Sequence, residues 1–282
     1  MRTFGTISSL SRKAALVLLA TALGSMVPAG EATGPLRIMP LGDSITRGSY
    51  FARYQHGPYA GQAIGLASPE AGGWRKPLQD HLRSVGLGYN FVGALNYYAY
   101  GHDGVVDPDF DPDHHGLAGF SNRQILTGGR VPTPRDVLDF LGVTEIIVPD
   151  LLTVLQKEKP DVILLMSGAN GFDAPARDEL IRFIGDHSTA HLFVATTTPQ
   201  RPPRKDWEQV GAYNASLPAI VATQQAAGHA ITLVNMHDAL RPADLLPDGV
   251  HPNRSGLNKM AGAWFQALRD AGYLSAIHAV ED

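Results

Sequence analysis

The chain has no cysteine among its 282 residues. That excludes disulfides, thiol nucleophiles and cysteine-bound metals, and leaves the fold to rely on its core. Charge is sparse as well, at 18% of residues, and no basic stretch is present to meet nucleic acid. Nor is there an apolar run long enough to span a bilayer comfortably. The run Ala14–Leu23 is too short for that. It follows Arg2, Arg12 and Lys13 and precedes small residues at Ala29 and Ala32, so residues 1–29 read as a secretory signal peptide. Cleavage there leaves 20 basic against 27 acidic side chains, a net charge of −7. The expectation is an acidic protein, secreted or periplasmic, with no affinity for nucleic acid and no membrane attachment after signal cleavage.

What is present in abundance is hydrophobic sequence, 44% of the chain, enough for one large domain. Apolar runs at Leu36–Leu41, Tyr89–Ala94, Asp161–Ser167, His191–Thr197 and Ile231–Met236 read as strands. They are continuous rather than alternating, which suits a parallel sheet covered on both faces. Helical patterns lie between them at Trp74–Val85, Thr144–Lys157, Pro175–Gly185 and Trp207–Ala227. In the last helix Leu257, Met260, Ala261, Trp264, Phe265 and Leu268 share one face. Strands alternating with helices predict a single three-layer α/β domain over residues 34–275. Two irregular stretches interrupt the pattern. Ser49–Ala71 carries Tyr50, Phe51, Tyr54 and Tyr59, and Tyr97–Gly116 carries Tyr97, Tyr98 and Tyr100, aromatics suited to stacking on sugar or to packing the loop.

"LRIMPLGDSITRGS" ends its apolar run in Gly-Asp-Ser, which places Ser44 at the carboxyl end of the first strand, where open α/β sheets hold ligands. A serine hydroxyl needs a base and an orienting acid to become a nucleophile. "LLPDGVHPNRSG" offers Asp248 and His251 three residues apart in a turn before the last helix. "LLMSGANGFDAP" places Asn170 after the third strand, where its amide can donate to a developing oxyanion. Each piece alone has a plainer reading: a surface serine, a turn aspartate with a surface histidine, an asparagine tolerated in a turn.

Taken together, "GDSIT", Gly119 in "HHGLAGFSNRQI", Asn170 in "GAN" and "DGVH" resemble the motif order of the SGNH/GDSL hydrolases. The resemblance spans Leu36 to His251. It implies a flavodoxin-like three-layer α/β/α sandwich with a five-stranded parallel sheet. It also implies Ser44 as nucleophile, His251 as general base and Asp248 as its orienter, with Ser44 N–H, Gly119 N–H and the Asn170 side chain forming the oxyanion hole. Neither cofactor nor metal is implied. No Gly-x-Ser-x-Gly elbow occurs in the chain. More narrowly, "IMPLGDSIT", "GGWRKPLQDHLRSVGLGYNFVG" and "DHHGLAGFSNRQI" resemble carbohydrate esterase family three, which includes acetylxylan esterases. That implies an acetylated polysaccharide or oligosaccharide as substrate. The same machinery acting on lipid esters or thioesters, and a non-catalytic carbohydrate-binding protein on the same fold, are the alternatives. One position departs from the pattern: the usual Gly-x-Asn-Asp reads Gly168-Ala-Asn170-Gly171, which leaves the bracing of that loop open. Asp173 has the wrong spacing to substitute.

Other features carry less. Asp107, Asp109, Asp111 and Asp113 alternate as in a calcium loop, but the sixth and twelfth positions are Pro112 and Ala118 where an EF-hand needs Gly and Glu. Adjacent His114 and His115 lack a third spaced zinc ligand. Asn253-Arg-Ser255 fits a glycosylation acceptor, but a glycan two residues from His251 would obstruct it. His187, His191, His229 and His237 border strands or helices and read as structural or exposed.

Overall fold

Each of the five apolar runs forms a strand of one parallel sheet. The computed structural model describes residues 34–53, 63–67, 72–96, 109–132 and 145–274. The expected signal peptide, Asp107 and the tyrosines at 54, 59, 97, 98 and 100 lie outside these residues. From the amino end, β1 (Leu36–Gly42) leads into α1 (Ser44–Arg47), the strands β2 (Ser49–Arg53) and β3 (Ala63–Ala67), α2 (Arg75–Ser84) and β4 (Tyr89–Phe91). Next come β5 (His115–Gly116), α3 (Asn122–Thr127), β6 (Gly129–Pro132), β7 (Glu145–Val148) and α4 (Leu151–Glu158). The last part alternates β8 (Val162–Met166), α5 (Ala174–His187), β9 (His191–Ala195), α6 (Gln209–Ala215), α7 (Leu217–Ala226), β10 (Ile231–Val234), α8 (Met236–Ala239) and α9 (Arg254–Asp270).

The sheet runs β10-β9-β8-β1-β4, every pair parallel. Counting only these five strands along the chain, the order is 2-1-3-4-5, that of the flavodoxin-like fold. Their uninterrupted hydrophobicity follows from burial on both faces. Met39, Leu41, Ile163, Leu165, Leu192 and Val194 point to one core, against α4, α5 and α7. The alternate residues Ile38, Val162, Leu164, Met166, Phe193 and Ala195 point to the other, against α2 and α9. There Trp74 and Trp264, both fully buried, meet at 5.6 Å between ring centroids. Among the described residues no helix is long and apolar enough to cross a membrane.

Four local expectations are corrected. The sheet gains a sixth strand, the two-residue β5, which pairs with the end of β1. The stretch Thr144–Lys157 is not one helix. Its β-branched Ile146, Ile147 and Val148 extend antiparallel to β6, Pro149 follows, and Asp150 then caps α4 through the Thr153 N–H at 3.0 Å. Trp207–Ala227 divides into α6 and α7, because Pro218 in the first turn of α7 cannot continue a helix from α6. The described ends of the Ser49–Ala71 stretch pair as the antiparallel strands β2 and β3 rather than forming a structureless loop.

Candidate active site

The Ser44 turn forms where β1 can no longer continue. A Cβ on Gly42 would fall 2.0 Å from the Met166 carbonyl oxygen, so only glycine lets β1 run this close to β8. Asp43 then caps α1, its Oδ1 accepting the Ile45 N–H at 3.0 Å. Ser44 becomes the first helical residue, and Gly48 ends the turn in the left-handed region (φ 84°). The hydroxyl is thereby presented at the carboxyl edge of the sheet.

The loop before α9 comes to meet it. Ser44 Oγ lies 2.8 Å from His251 Nε2, and His251 Nδ1 lies 2.7 Å from Asp248 Oδ2. In the tautomer this chain requires, Nδ1–H donates to the carboxylate and Nε2 accepts from the serine hydroxyl. Asp248 Oδ1 is occupied as well, accepting the Val250 and His251 N–H groups at 2.9 and 3.0 Å. The loop is locked at several points. Leu246 N–H donates to the His251 carbonyl at 2.7 Å, Arg201 N–H to the Gly249 carbonyl at 2.9 Å, and Asn253 caps α9 through Gly256 N–H at 3.1 Å. Gly249 has φ 74°, and a Cβ there would sit 2.1 Å from the Arg201 carbonyl oxygen. Burial alone would raise the Asp248 pKa. The hydrogen bond and charge of His251, with the two backbone donors, outweigh it and hold the carboxyl below its usual range. Asp248 is therefore an anion able to stabilise an imidazolium.

Two further strands end beside the turn that carries Ser44. The ladder pairs Gly42 with Gly116 of β5 on one flank and with Met166 of β8 on the other. Gly119 and Asn170 therefore follow in loops that leave the same edge of the sheet. Gly119 has φ 81° and is exposed. The backbone N–H groups of Ser44 and Gly119 have no acceptor among the described residues. Asn170 Nδ2 donates one hydrogen to the Phe120 carbonyl at 3.1 Å, which fixes the plane of the amide and leaves its second hydrogen unassigned. A set of N–H donors beside a serine–imidazole pair can hold the oxyanion formed when that serine attacks a carbonyl.

Sequence reasoning did not anticipate the framework behind these donors. Asn122 Nδ2 donates to the Asp173 carbonyl at 3.1 Å and to Tyr213 Oη at 3.0 Å, and Tyr213 donates to the Ser167 carbonyl at 3.3 Å. Thr197 Oγ1 donates to the same carbonyl at 2.7 Å. Burial pushes the Tyr213 phenol up to about 12, so it remains a donor at any working pH. The partners are separated by 30 to 91 residues, and no local pattern signals them. Asp173 itself caps α5 at Ala176 N–H, 3.0 Å, and does not substitute for the missing aspartate.

The features set aside also have their places. Asp111 accepts the Phe91 and Asp113 N–H groups, and the Asp109 carbonyl accepts Gln79 Nε2, so this acidic stretch braces β4 and α2. His114 Nδ1 accepts the Gly116 N–H at 2.9 Å, while His115 is fully buried with neither ring nitrogen partnered among the described residues. Asn253 spends its side chain capping α9. Among the described residues no three His, Asp or Glu side chains are grouped to hold a metal ion.

With fold and geometry in view, residues 38–264 match the model of the GDSL-like lipase/acylhydrolase family, and the chain belongs to that family of carboxylic ester hydrolases. Within it, the chain is similar to a multidomain esterase of Ruminococcus flavefaciens, 26% identical over 261 residues. Those residues are 87% of this chain but only 30% of that protein, so the likeness covers one part of a longer molecule. Among solved structures, a family 3 carbohydrate esterase of Clostridium thermocellum is 25% identical with a TM-score of 0.58, covering 86% of this chain and 98% of that one. A family 3 carbohydrate esterase of Talaromyces cellulolyticus has the same fold at 21% identity and a TM-score of 0.58, covering 85% and 98%.

Proposed function

We propose that the chain is an exported serine esterase that removes acetyl groups from carbohydrate. The observation that carries this reading is the run of short contacts from Ser44 Oγ through His251 to Asp248, 2.8 and 2.7 Å. Similarity to the carbohydrate esterase of Clostridium thermocellum supports the sugar, and the basic start and short apolar run of residues 1–29 support export.

Ser44 Oγ attacks the acetyl carbonyl while its proton passes to His251 Nε2. Asp248 holds Nδ1–H, which keeps the tautomer and stabilises the imidazolium. The carbonyl oxygen, now an anion, takes hydrogen bonds from Ser44 N–H, Gly119 N–H and the free amide hydrogen of Asn170. Collapse breaks the ester bond, and the departing sugar oxygen takes the proton back from His251. The acetyl group is then on Ser44. Water loses a proton to His251 as it attacks that ester, and His251 returns the proton to Ser44 Oγ as that bond breaks and the acetyl group leaves as acetic acid.

The test is acetate released from acetylated xylan, beside hydrolysis of short- and long-chain aryl esters, by wild type and Ser44→Ala. Serine-dependent acetate release with activity confined to short chains is expected. Long-chain turnover without acetate from xylan would move the substrate to lipid or thioester acyl groups. Polysaccharide binding that Ser44→Ala leaves intact, without any turnover, would make this a binding protein. Export is checked separately: the protein recovered outside the cytoplasm should begin near residue 30.

A further inference from the structure

The loop that carries Asn170 continues into Gly171. A Cβ at Gly171 would meet nothing within 4 Å, so no side chain at this position braces the loop, and Asp173 is committed to capping α5. One brace comes from Asp43, the residue before Ser44. Asp43 is buried, 1% exposed, and its carboxylate accepts two backbone N–H groups from different parts of the chain. Oδ1 takes Ile45 N–H at 3.0 Å within its own turn, and Oδ2 takes Ala169 N–H at 3.1 Å, 126 residues away.

We propose that Asp43 is a positioning residue that sets the Asn170 amide against the Ser44 turn, so that donors from two segments converge on one oxyanion. This rests on the reading of Asn170 as an oxyanion donor. One carboxylate group ties the turn that supplies the Ser44 N–H to the residue adjacent to Asn170. Asp43 thus links the two donor segments directly through one planar group. Constellations of this kind lose rate when they loosen by as little as half an ångström or so. An α1 cap alone needs no carboxylate, since serine or asparagine caps as well. The second oxygen is what the long-range contact uses. Burial raises the Asp43 pKa above its ordinary value, against the two backbone donors and the nearby His251, which favour the ionised form.

The experiment is a double-mutant cycle on aryl acetate and acetylated xylan with Asp43→Asn, Asn170→Ala and the pair. An asparagine keeps the volume and the cap but presents an N–H to Ala169 N–H. The expected result is a kcat reduced by roughly 10- to 100-fold with KM changed less than about threefold, because the interaction matters in the transition state. In the Asn170→Ala background the same substitution should cost less than about threefold further. Multiplicative losses, or an unchanged kcat for Asp43→Asn, overturn the proposal. Asn170→Ala with full kcat refutes the donor role itself, a different failure from an additive cycle. If Asp43→Asn does not fold, the cycle is run with Asp43→Ser, which caps α1 but is too short to reach Ala169.

Discussion

On one side of Ser44, Asp248 and His251 stand three residues apart in a loop that supplies most of its own bonds, with Arg201 adding one from outside. On the other, the Gly119 and Asn170 loops depend on groups 50 to 126 residues distant: Asn170 on the Phe120 carbonyl, Ala169 on the Asp43 carboxylate, Asp173 on the Asn122 amide. The base side is local, and its carboxylate accepts from the loop's own backbone as well as from the imidazole. The proposed oxyanion side is an assembly of strand ends. A local device can be carried on a short segment, whereas an assembled one exists only when β1, β5 and β8 are in register. The lesson is that the two halves of one site should fail differently.

The largest effect tests the shared residue. Ser44→Ala should lower ester turnover by roughly 10⁴-fold or more, measured as the initial rate on aryl acetate, since it removes the proposed nucleophile. On the base side, Asp248→Asn should cost roughly 10³- to 10⁴-fold by leaving the imidazole in the wrong tautomer. Circular dichroism should show the fold intact. On the assembled side, Asn170→Ala should cost roughly 10²- to 10³-fold in kcat, the usual loss of one oxyanion donor. Equal losses from Asp248→Asn and Asn170→Ala would erase the distinction between the two halves.

The smallest effect concerns the two histidines that border the end of β1. His251 is 9% exposed and both ring nitrogens are used, whereas His115, fully buried beside Leu41, has neither partnered among the described residues. Burial lowers the His115 pKa to about 4, against 6.5 unperturbed. The folded state therefore refuses a proton that the unfolded chain accepts. Stability is unaffected above about pH 6.5 and declines as pH falls from there to about 4, by roughly 2 kcal/mol at pH 5. His115→Leu should remove this penalty. Its Tm advantage over wild type should widen by several degrees between pH 7 and pH 5 with activity retained. An advantage that stays constant with pH would mean that His115 does not resist protonation.

Much of this was readable in the chain. The strands were legible because both of their faces are buried, which turns period-two alternation into continuous runs such as Val162–Met166. The proximity of Asp248 to His251 was legible because three residues of turn suffice to bring them together. Errors fell where two local signals compete: β-branched Ile146, Ile147 and Val148 beside a good helix sequence, and Pro218 inside an otherwise helical stretch. Nothing local showed that Asp43 reaches Ala169 or that Tyr213 holds the Ser167 carbonyl. Those bonds join residues whose neighbourhood is set by sheet order.

Sequence alone determined the alternation of strand and helix, the Gly-Asp-Ser turn and the Asp-x-x-His loop, because each depends on side chains within a few residues of one another. Only the tertiary structure decided that Ser44 Oγ sits 2.8 Å from His251 Nε2, 207 residues away, and that Gly119 and Asn170 follow strands on either flank of β1. The reason is physical. A parallel sheet pairs strands through crossovers, so which loops meet at its carboxyl edge depends on strand order and register, and those belong to the whole chain.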